Sequence, residues 1–140
     1  RQPNHKTTKP LKNEIAKFLS ALSIEIIDCG PQDFDAEDDF NDYAKAVAKS
    51  VSTDSDSFGI IVCGSAQGVA MQANRFKKVR AAICHSADDA RETRSHNNAN
   101  ILCLAADKNP DYATIIEAFL STPPLTEEKY LRRIKKLDEE

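Results

Sequence analysis

The feature that most constrains the fold of this 140-residue chain is an unbroken apolar run that ends in a cysteine. Residues 58–63 read FGIIVC, without a single charged side chain. A strand with one face in water alternates polar and apolar residues, whereas a strand covered on both faces is apolar throughout. The run is therefore predicted to be a strand inside a parallel sheet that carries helices on both faces.

Strand and helix patterns alternate along the rest of the chain. Three further segments read as strands, and apolar residues recur at helical spacing between them. This order predicts an α/β fold, a three-layer Rossmann-like (doubly wound) parallel sheet flanked by helices, with a C-terminal helix. No linker or shift in composition divides the chain, so residues 1–140 are predicted to form one domain. The further strands are predicted at 23–29, 79–84 and 100–104.

Composition and charge argue against several classes of function. Lys and Arg number 19 and Asp and Glu 22, so a net charge of -3 gives no overall attraction to nucleic acid or to an anionic membrane. No apolar stretch approaches the roughly 20 residues that span a bilayer, and the polar first residues are unlike a signal peptide. The four cysteines form no Cys-x-x-Cys pair, which favours free thiols in a reducing cytoplasm over zinc ligands or disulfides.

The strongest local signal follows the apolar run, where residues 63–68 read CGSAQG. Ligands of parallel α/β sheets bind at the carboxyl ends of the strands, so Cys63 is placed to face a ligand and can act as a base once ionised. Gly64 and Gly68 permit a tight turn, while the N–H groups at the start of the next helix favour an anion. Ser65 adds a hydroxyl for a reacting oxygen. On the pattern alone, a plain strand-to-helix turn with a buried thiol explains these residues equally well.

Two weaker signals lie further along the chain. His96 ends a predicted helix, a position that favours the protonated imidazole and suits proton donation, and Asn97 follows it. Taken alone, His96 and the asparagines after it are explained more simply as a helix cap. Lys129 and Arg133 are four residues apart on the final helix and share a face that suits a phosphate. Taken alone, that face is explained more simply as a solvated basic surface.

Several segments form a combination that is more specific than any one of them. They are 39–44 (DFNDYA), 63–75 (CGSAQGVAMQANR), 79–84 (VRAAIC), 94–100 (RSHNNAN) and the C-terminal basic pair. In this order and at these separations they resemble the type B ribose-5-phosphate isomerases and the related galactose-6-phosphate isomerase subunits. The resemblance covers nearly all of the chain from Leu11 onward.

The resemblance implies a doubly wound α/β fold, a dimer with active sites shared across the interface, and a reaction without metal or organic cofactor. That reaction interconverts aldose and ketose phosphates through an enediolate. Carried over by position, Cys63 would be the base that moves the proton between C1 and C2 of the sugar. Ser65 and the N–H groups of residues 64–68 would hold the enediolate. The remaining implied roles are ring opening for His96 with Asn97, and phosphate binding for Lys129 and Arg133.

The chain departs from the family pattern at four places. Ala66 and Lys129 replace a usual Gly and a usual Arg, and Asp107 stands where the family usually has another Arg, supplied by the partner subunit. A carboxylate near a phosphate is repulsive unless it is solvated or paired. The family also begins with a strand that ends in Gly-x-Asp-His, which does not occur here. We therefore expect residues before Arg1, and we expect the strand at 23–29 to lack its neighbour.

The sequence thus leads to one main function and two alternatives. We expect a cytoplasmic aldose–ketose isomerase of a five- or six-carbon sugar phosphate, a homodimer or dimer of dimers, with no cofactor, metal, nucleic acid or membrane partner. Asp107 and the absent Asp-His segment favour a catalytically weak sugar-phosphate-binding subunit that needs a partner chain to complete its site. A flavodoxin-type nucleotide-binding module is the third interpretation, although no phosphate loop follows residues 24–29.

Overall fold

The structure of the protein is a computed structural model that describes residues 5–30 and 39–139. In these two ranges none of the helices combines the length and the apolar character that crossing a bilayer requires. The helices are α1 (His5–Ala21), α2 (Phe40–Thr53), α3 (Gln67–Ala73), α4 (Ala87–Asn97), α5 (Tyr112–Ser121) and α6 (Glu128–Leu137). The strands are β1 (Gly59–Cys63), β2 (Ala81–Ile83) and β3 (Ile101–Ala105), and a 3-10 turn (Ala106–Lys108) follows β3.

The three described strands form one parallel sheet in the order β1-β3-β2, which places β3 in the centre. Cys63 at the end of β1 lies opposite Ala105, and Ala81 at the start of β2 lies opposite Ile101. Every residue of β3 is buried, as expected of a strand covered on both faces. The predicted α/β class, with a parallel sheet between helices and a C-terminal helix, is confirmed.

Helices cover both faces of the sheet and divide the core into two clusters. Helices α2 and α3 pack on the face that carries Ile61, Cys63 and Cys103. Helices α1, α4 and α5 pack on the other face, which carries Leu102 and Leu104. The alternation follows from the geometry of a strand, since successive side chains point to opposite faces. The side chain of Cys63 therefore belongs to the side of α2 and α3.

The strand predicted at 23–29 is wrong. Residues 24–29 run as irregular backbone and pair with no strand in the described part of the chain, so the sheet has three strands there and β1 forms one edge. A strand persists only if its backbone groups find partners on a neighbour, and without one Ile27 is 81% exposed. The segment is attached instead through Lys12 Nζ, 2.8 Å from Asp28 Oδ1.

Helix α6 stands apart from the rest of the fold. None of its residues is buried, and it packs on α4 rather than on the sheet. Leu131 and Leu137 are more than half exposed, at 52% and 55%. A helix that keeps an apolar stripe uncovered has a face available for another surface.

Gly59 allows α2 to lie close to β1, and we expect Gly59→Ala to lower the free energy of unfolding by about 1–3 kcal/mol, the usual cost of overpacking a core. The added methyl would lie 2.6 Å from Val47 Cγ1 in α2 and 3.0 Å from Ile101 Cγ1 in β3. Urea denaturation measures the change. Gly30→Ala is the control, because its methyl would first meet the movable end of Lys12, at 2.7 Å. Equal stability of the two variants would contradict the close packing of α2 on β1.

Candidate active site

Cys63 is the last residue of β1 and is half-buried at the carboxyl edge of the sheet. It is in register with Ala105, the last residue of β3, so the two strands end at the same level. Its side chain packs at the border of the core cluster beneath α2 and α3. The thiol thus lies where the chain leaves the sheet, at the edge where α/β proteins bind their ligands.

The surroundings of Cys63 favour the protonated thiol. Burial raises the pKa of Cys63 above its ordinary value, a hydrogen bond with the backbone of Gly64 opposes this effect, and the negative charge of Asp107 adds to it. Burial acts in this direction because it removes water from the thiolate. Burial also raises the pKa values of Cys84 and Cys103 to about 12, so these two core thiols stay protonated.

The loop after Cys63 bends through a left-handed residue. Ala66 is completely buried, with φ 66° and ψ -2°. A side chain in this region of backbone space costs about 1–2 kcal/mol because Cβ meets the carbonyl oxygen. The turn exposes Ser65, whose Oγ accepts a hydrogen bond from the Gln67 N–H at 3.3 Å. Gly68 then packs on Phe40, since a Cβ there would lie 2.6 Å from the ring. Strain of this kind is concentrated at functional loops.

The end of β3 brings a carboxylate to the same edge of the sheet. Asp107 lies in the 3-10 turn, and its N–H donates to the carbonyl oxygen of Gly64 at 3.0 Å. This bond joins the loop after β3 to the loop after β1, which explains why the charge of Asp107 acts on Cys63. The resemblance noted from the sequence implies an Arg at this position, whereas this chain has a carboxylate there.

The predicted pair His96 and Asn97 lies at the carboxyl end of α4. Asn97 is the last helical residue, and Asn98 closes the helix in the left-handed conformation, with φ 49° and its N–H bonded to the Arg94 carbonyl. The cap interpretation therefore holds for Asn98. The imidazole of His96 stacks on the ring of Tyr130 in α6, with 5.4 Å between centroids and 8° between planes. This contact fixes the plane of the imidazole.

Tyr130 also organises the two basic side chains that were predicted to bind phosphate. Lys129 Nζ lies 5.1 Å from the centre of the Tyr130 ring, and Arg133 Cζ lies 5.9 Å from it. Cations at such distances are attracted to the ring face. We call these residues (His96, Lys129, Tyr130 and Arg133) the Tyr130 cluster. Sequence reasoning assigned no role to Tyr130, although an aromatic residue beside basic residues four apart is a visible signal.

A second residue without a role assigned from sequence is Arg94, which holds the loop between α4 and β3. Its guanidinium is buried and donates to Asn98 Oδ1 and the Ala99 carbonyl at 2.8 Å each, and to the Thr122 carbonyl at 3.2 Å. It also lies 5.5 Å from the centre of the Phe119 ring. Nothing in a sequence distinguishes a buried arginine from a surface one, so this role becomes visible only in the folded chain.

A single chain does not bring Cys63 and the Tyr130 cluster together. Cys63 ends β1, whereas His96 lies in the last turn of α4, shortly before β3 begins at Ile101. Strands β1 and β3 are parallel, and a strand of five residues separates its two ends by roughly 13 Å at about 3.3 Å per step. The thiol and the imidazole therefore lie toward opposite ends of the sheet within one chain.

Fold and side chains together define a doubly wound α/β protein. The loop after Cys63 (residues 64–68, here called the thiol loop) lies at one end of its sheet, and a histidine beside a basic helix lies at the other. Across residues 5–30 and 39–139, no three His, Cys, Asp or Glu side chains form a group that could hold a metal ion. The sequence profile of the ribose/galactose isomerase family matches residues 4–137. The chain belongs to this family.

Individual relatives differ in how much of their length is matched. The probable ribose-5-phosphate isomerase B of Mycoplasma genitalium is 43% identical over 97 residues, which cover 69% of this chain and 64% of that protein. The match to the Mycoplasma pneumoniae relative covers 63% of its length, so both alignments span less than two thirds of the relative. The ribose-5-phosphate isomerase B of Mycolicibacterium paratuberculosis is 33% identical over 131 residues, covering 92% of this chain and 82% of that protein.

Solved structures extend the likeness to the whole fold. The ribose 5-phosphate isomerase of Thermotoga maritima superposes with a TM-score of 0.86 and 38% identity, covering 96% of this chain and 92% of that one. The ribose-5-phosphate isomerase B of Mycoplasma genitalium with bound ribulose-5-phosphate superposes with a TM-score of 0.87 and 37% identity, covering 94% and 88%. The Rossmann-like architecture predicted from the sequence is therefore confirmed.

We expect Asp107→Asn to lower the pKa of Cys63, because the substitution removes the negative charge that opposes the thiolate. More thiolate then exists at each pH below the midpoint, so alkylation by iodoacetamide becomes faster at neutral pH. Mass spectrometry of Cys63 across a pH series measures the midpoint, with Cys29→Ser as the background. Asp88→Asn, which removes an exposed carboxylate paired with Arg91, is the control. An unchanged midpoint in Asp107→Asn would show that the carboxylate does not act on the thiol.

Proposed function

We propose that this chain is an aldose–ketose isomerase of a phosphorylated sugar. It converts ribose 5-phosphate to ribulose 5-phosphate, or a six-carbon analogue, by proton transfer through an enediolate. The observation that supports this most is the position of Cys63, at the carboxyl end of a buried strand and beside a strained loop. The relative with bound ribulose-5-phosphate, which shares this fold at 37% identity, supports the same class of substrate.

In this proposal Cys63 is the base of the reaction. As thiolate it removes the proton from C2 of the open-chain aldose, and the electron pair of that C–H bond forms the C1–C2 double bond of the enediolate. The C1=O electron pair moves onto O1 in the same step, and the hydroxyl proton of O2 then passes to O1. Returning the proton from the thiol to C1 forms the C2 carbonyl of the ketose and regenerates the thiolate. The hydroxyl of Ser65 and the N–H groups of residues 64–68 stabilise the negative oxygen, because donors aimed at a developing charge lower the barrier. Gly64 and Gly68 let the backbone approach the sugar.

The Tyr130 cluster supplies the other half of the site. His96, held by its stack on Tyr130, assists ring opening by moving a proton at the ring oxygen, with Asn97 beside it. Lys129 and Arg133 bind the phosphate, which does not react but anchors the substrate. Lys129 offers a single point charge, whereas an Arg would form a bidentate hydrogen bond with the phosphate. The phosphate is therefore held less rigidly by Lys129.

We propose that two copies of the chain share their sites, as a homodimer or a dimer of dimers. This follows from the separation described above, because Cys63 and His96 of one chain lie toward opposite ends of its sheet. It is also supported by α6, which carries Lys129 and Arg133, buries none of its residues and leaves Leu131 and Leu137 exposed. A second copy that covers this helix would place its cations beside the partner's thiol loop.

We also propose that residues 1–140 act as one isomerase domain without organic cofactor, metal, nucleic acid or membrane partner. The four free cysteines of the described structure suit the reducing cytoplasm.

One observation favours the alternative of a weak binding subunit that needs a different partner chain. Asp107 is hydrogen-bonded to the loop after Cys63, where its charge disfavours the thiolate and repels an anionic substrate. That alternative predicts turnover only after a second, different chain is added to the purified protein. Turnover by the purified chain alone favours the isomerase.

We expect purified protein to turn over at least one of ribose 5-phosphate, allose 6-phosphate and galactose 6-phosphate in a coupled assay. Cys63→Ala should lower kcat/KM by about 10²–10⁴-fold, the usual contribution of a general base. Cys29→Ala is the control, since Cys29 lies in the irregular segment 24–29. Turnover unaffected by Cys63→Ala would reject this thiol as the base and leave the fold intact.

We expect an equal mixture of Cys63→Ala and His96→Ala subunits to regain activity after joint unfolding and refolding. Each mixed dimer has one site with both groups intact, so random pairing restores about a quarter of the wild-type rate. The coupled assay measures the recovery, and light scattering confirms that dimers have formed. Each variant refolded alone is the control. Dimers without recovered activity would show that Cys63 and His96 come from the same chain.

A further inference from the structure

Arg80 links three parts of the fold that carry predicted site residues or support them. It directly precedes β2, and its Nε donates to the carbonyl oxygen of Asn98 at 2.9 Å, next to the His96–Asn97 pair. Its Nη1 lies 2.7 Å from Oδ1 of Asp138, the residue that caps the end of α6. One side chain thus touches both the end of α4 and the end of α6.

The contact with Asn98 is supported from a second side. Arg94 Nη1 donates to the side-chain oxygen of Asn98 at 2.8 Å, while Arg80 holds its carbonyl oxygen. Burial lowers the pKa of the Arg94 guanidinium, and the nearby positive charge of Arg80 lowers it further. Two like charges this close need a counter-ion, and Asp138 provides one. The side chains of Arg80 and Asp138 are only 14% and 31% exposed, so water screens the pair incompletely.

Within residues 5–30 and 39–139, helix α6 has few other attachments. Before it begins, the Leu125 N–H donates to the Ser95 carbonyl at 2.9 Å, and in its first turn Tyr130 stacks on His96. A groove of about 320 Å³, lined in part by Arg80, Asn97 and Leu137, lies beneath its far end. That end is therefore not held by packing against the sheet. The Arg80–Asp138 pair connects this end of α6 to the residue that precedes β2.

We propose that Arg80 is a positioning residue that sets the direction of α6, and with it the positions of Lys129 and Arg133, relative to His96. It acts on the basic side chains through Asp138 and on the histidine through Asn98, without touching the substrate. This inference rests on the proposed function where it concerns the sugar phosphate. How firmly α6 is attached to the rest of the chain can be measured without any turnover.

The test compares Asp138→Asn with Glu128→Gln. Asp138→Asn removes the charge of the Arg80–Asp138 pair and so weakens this contact between α6 and the rest of the chain, whereas Glu128→Gln removes the charge of the exposed pair of Glu128 with Arg132 inside α6. We expect hydrogen exchange of residues 128–137 to rise at least several-fold in Asp138→Asn, with β1 and its loop unchanged. Glu128→Gln should leave the far end of α6 unaffected. Unchanged exchange at that end in Asp138→Asn would overturn the proposal.

Kinetics and ligand binding separate positioning from a purely structural role. We expect Asp138→Asn to raise KM for the sugar phosphate and the Kd of inorganic phosphate by about 3–10-fold, with kcat within about twofold, since the thiol loop is untouched. Arg80→Gln should also lower kcat, because it releases Asn98 as well, and Arg80→Lys should recover part of the loss. A fall in kcat alone in Asp138→Asn, with unchanged phosphate affinity, would contradict the role. Faster hydrogen exchange in α6, together with no turnover by any form of the chain, would reject the proposed function. It would still support the role of Arg80 in holding α6.

Discussion

The buried central strand β3 is the constraint on which the rest of the structure depends. Its five residues are at most 1% exposed, and it pairs on one side with β1 and on the other with β2. Apolar side chains on both of its faces require a layer of helices above and below. Parallel pairing requires each connection to return to the starting edge of the sheet. The carboxyl ends of the strands and the carboxyl ends of the helices therefore lie at opposite edges of the sheet. This separation determines at which edge each candidate site residue lies.

This separation explains why the candidate site residues are divided between the two edges of the sheet. The thiol loop follows a strand, so it belongs to the carboxyl edge, and Asp107 joins it there because it follows β3. His96 ends a helix that returns beside the sheet, so it belongs to the other edge. The exposed helix α6 then adds its cations to the side of His96. A second copy of the chain is the simplest way to unite a thiol and an imidazole that the topology keeps apart.

The sequence predicts those structural elements that are determined by residues close together in the chain. The run at 58–63 is apolar enough to require a buried strand. Ser86 followed three residues later by Asp89 is a local pattern typical of a helix start, and in the structure Ser86 Oγ accepts the Asp89 N–H at 3.1 Å at the start of α4. The strand at 23–29 was predicted wrongly, because pairing depends on a neighbour that the described structure does not provide. The sequence assigned no role to Arg94 or Tyr130 for a related reason. The burial of Arg94 and the ring stacking of Tyr130 arise only when segments distant in sequence come into contact.

The charges around the proposed site favour one orientation of a bound sugar phosphate. Asp107 makes the thiol end unfavourable for an anion, whereas Lys129 and Arg133 make the α6 end favourable. In the proposed shared site, these charges favour a sugar phosphate with C1 and C2 at Cys63 and its phosphate among the cations. Reversed binding would place the phosphate against Asp107 and leave the cations without a partner. The carboxylate that helps to raise the pKa of Cys63 thus also favours the orientation in which this proposed base meets C1 and C2.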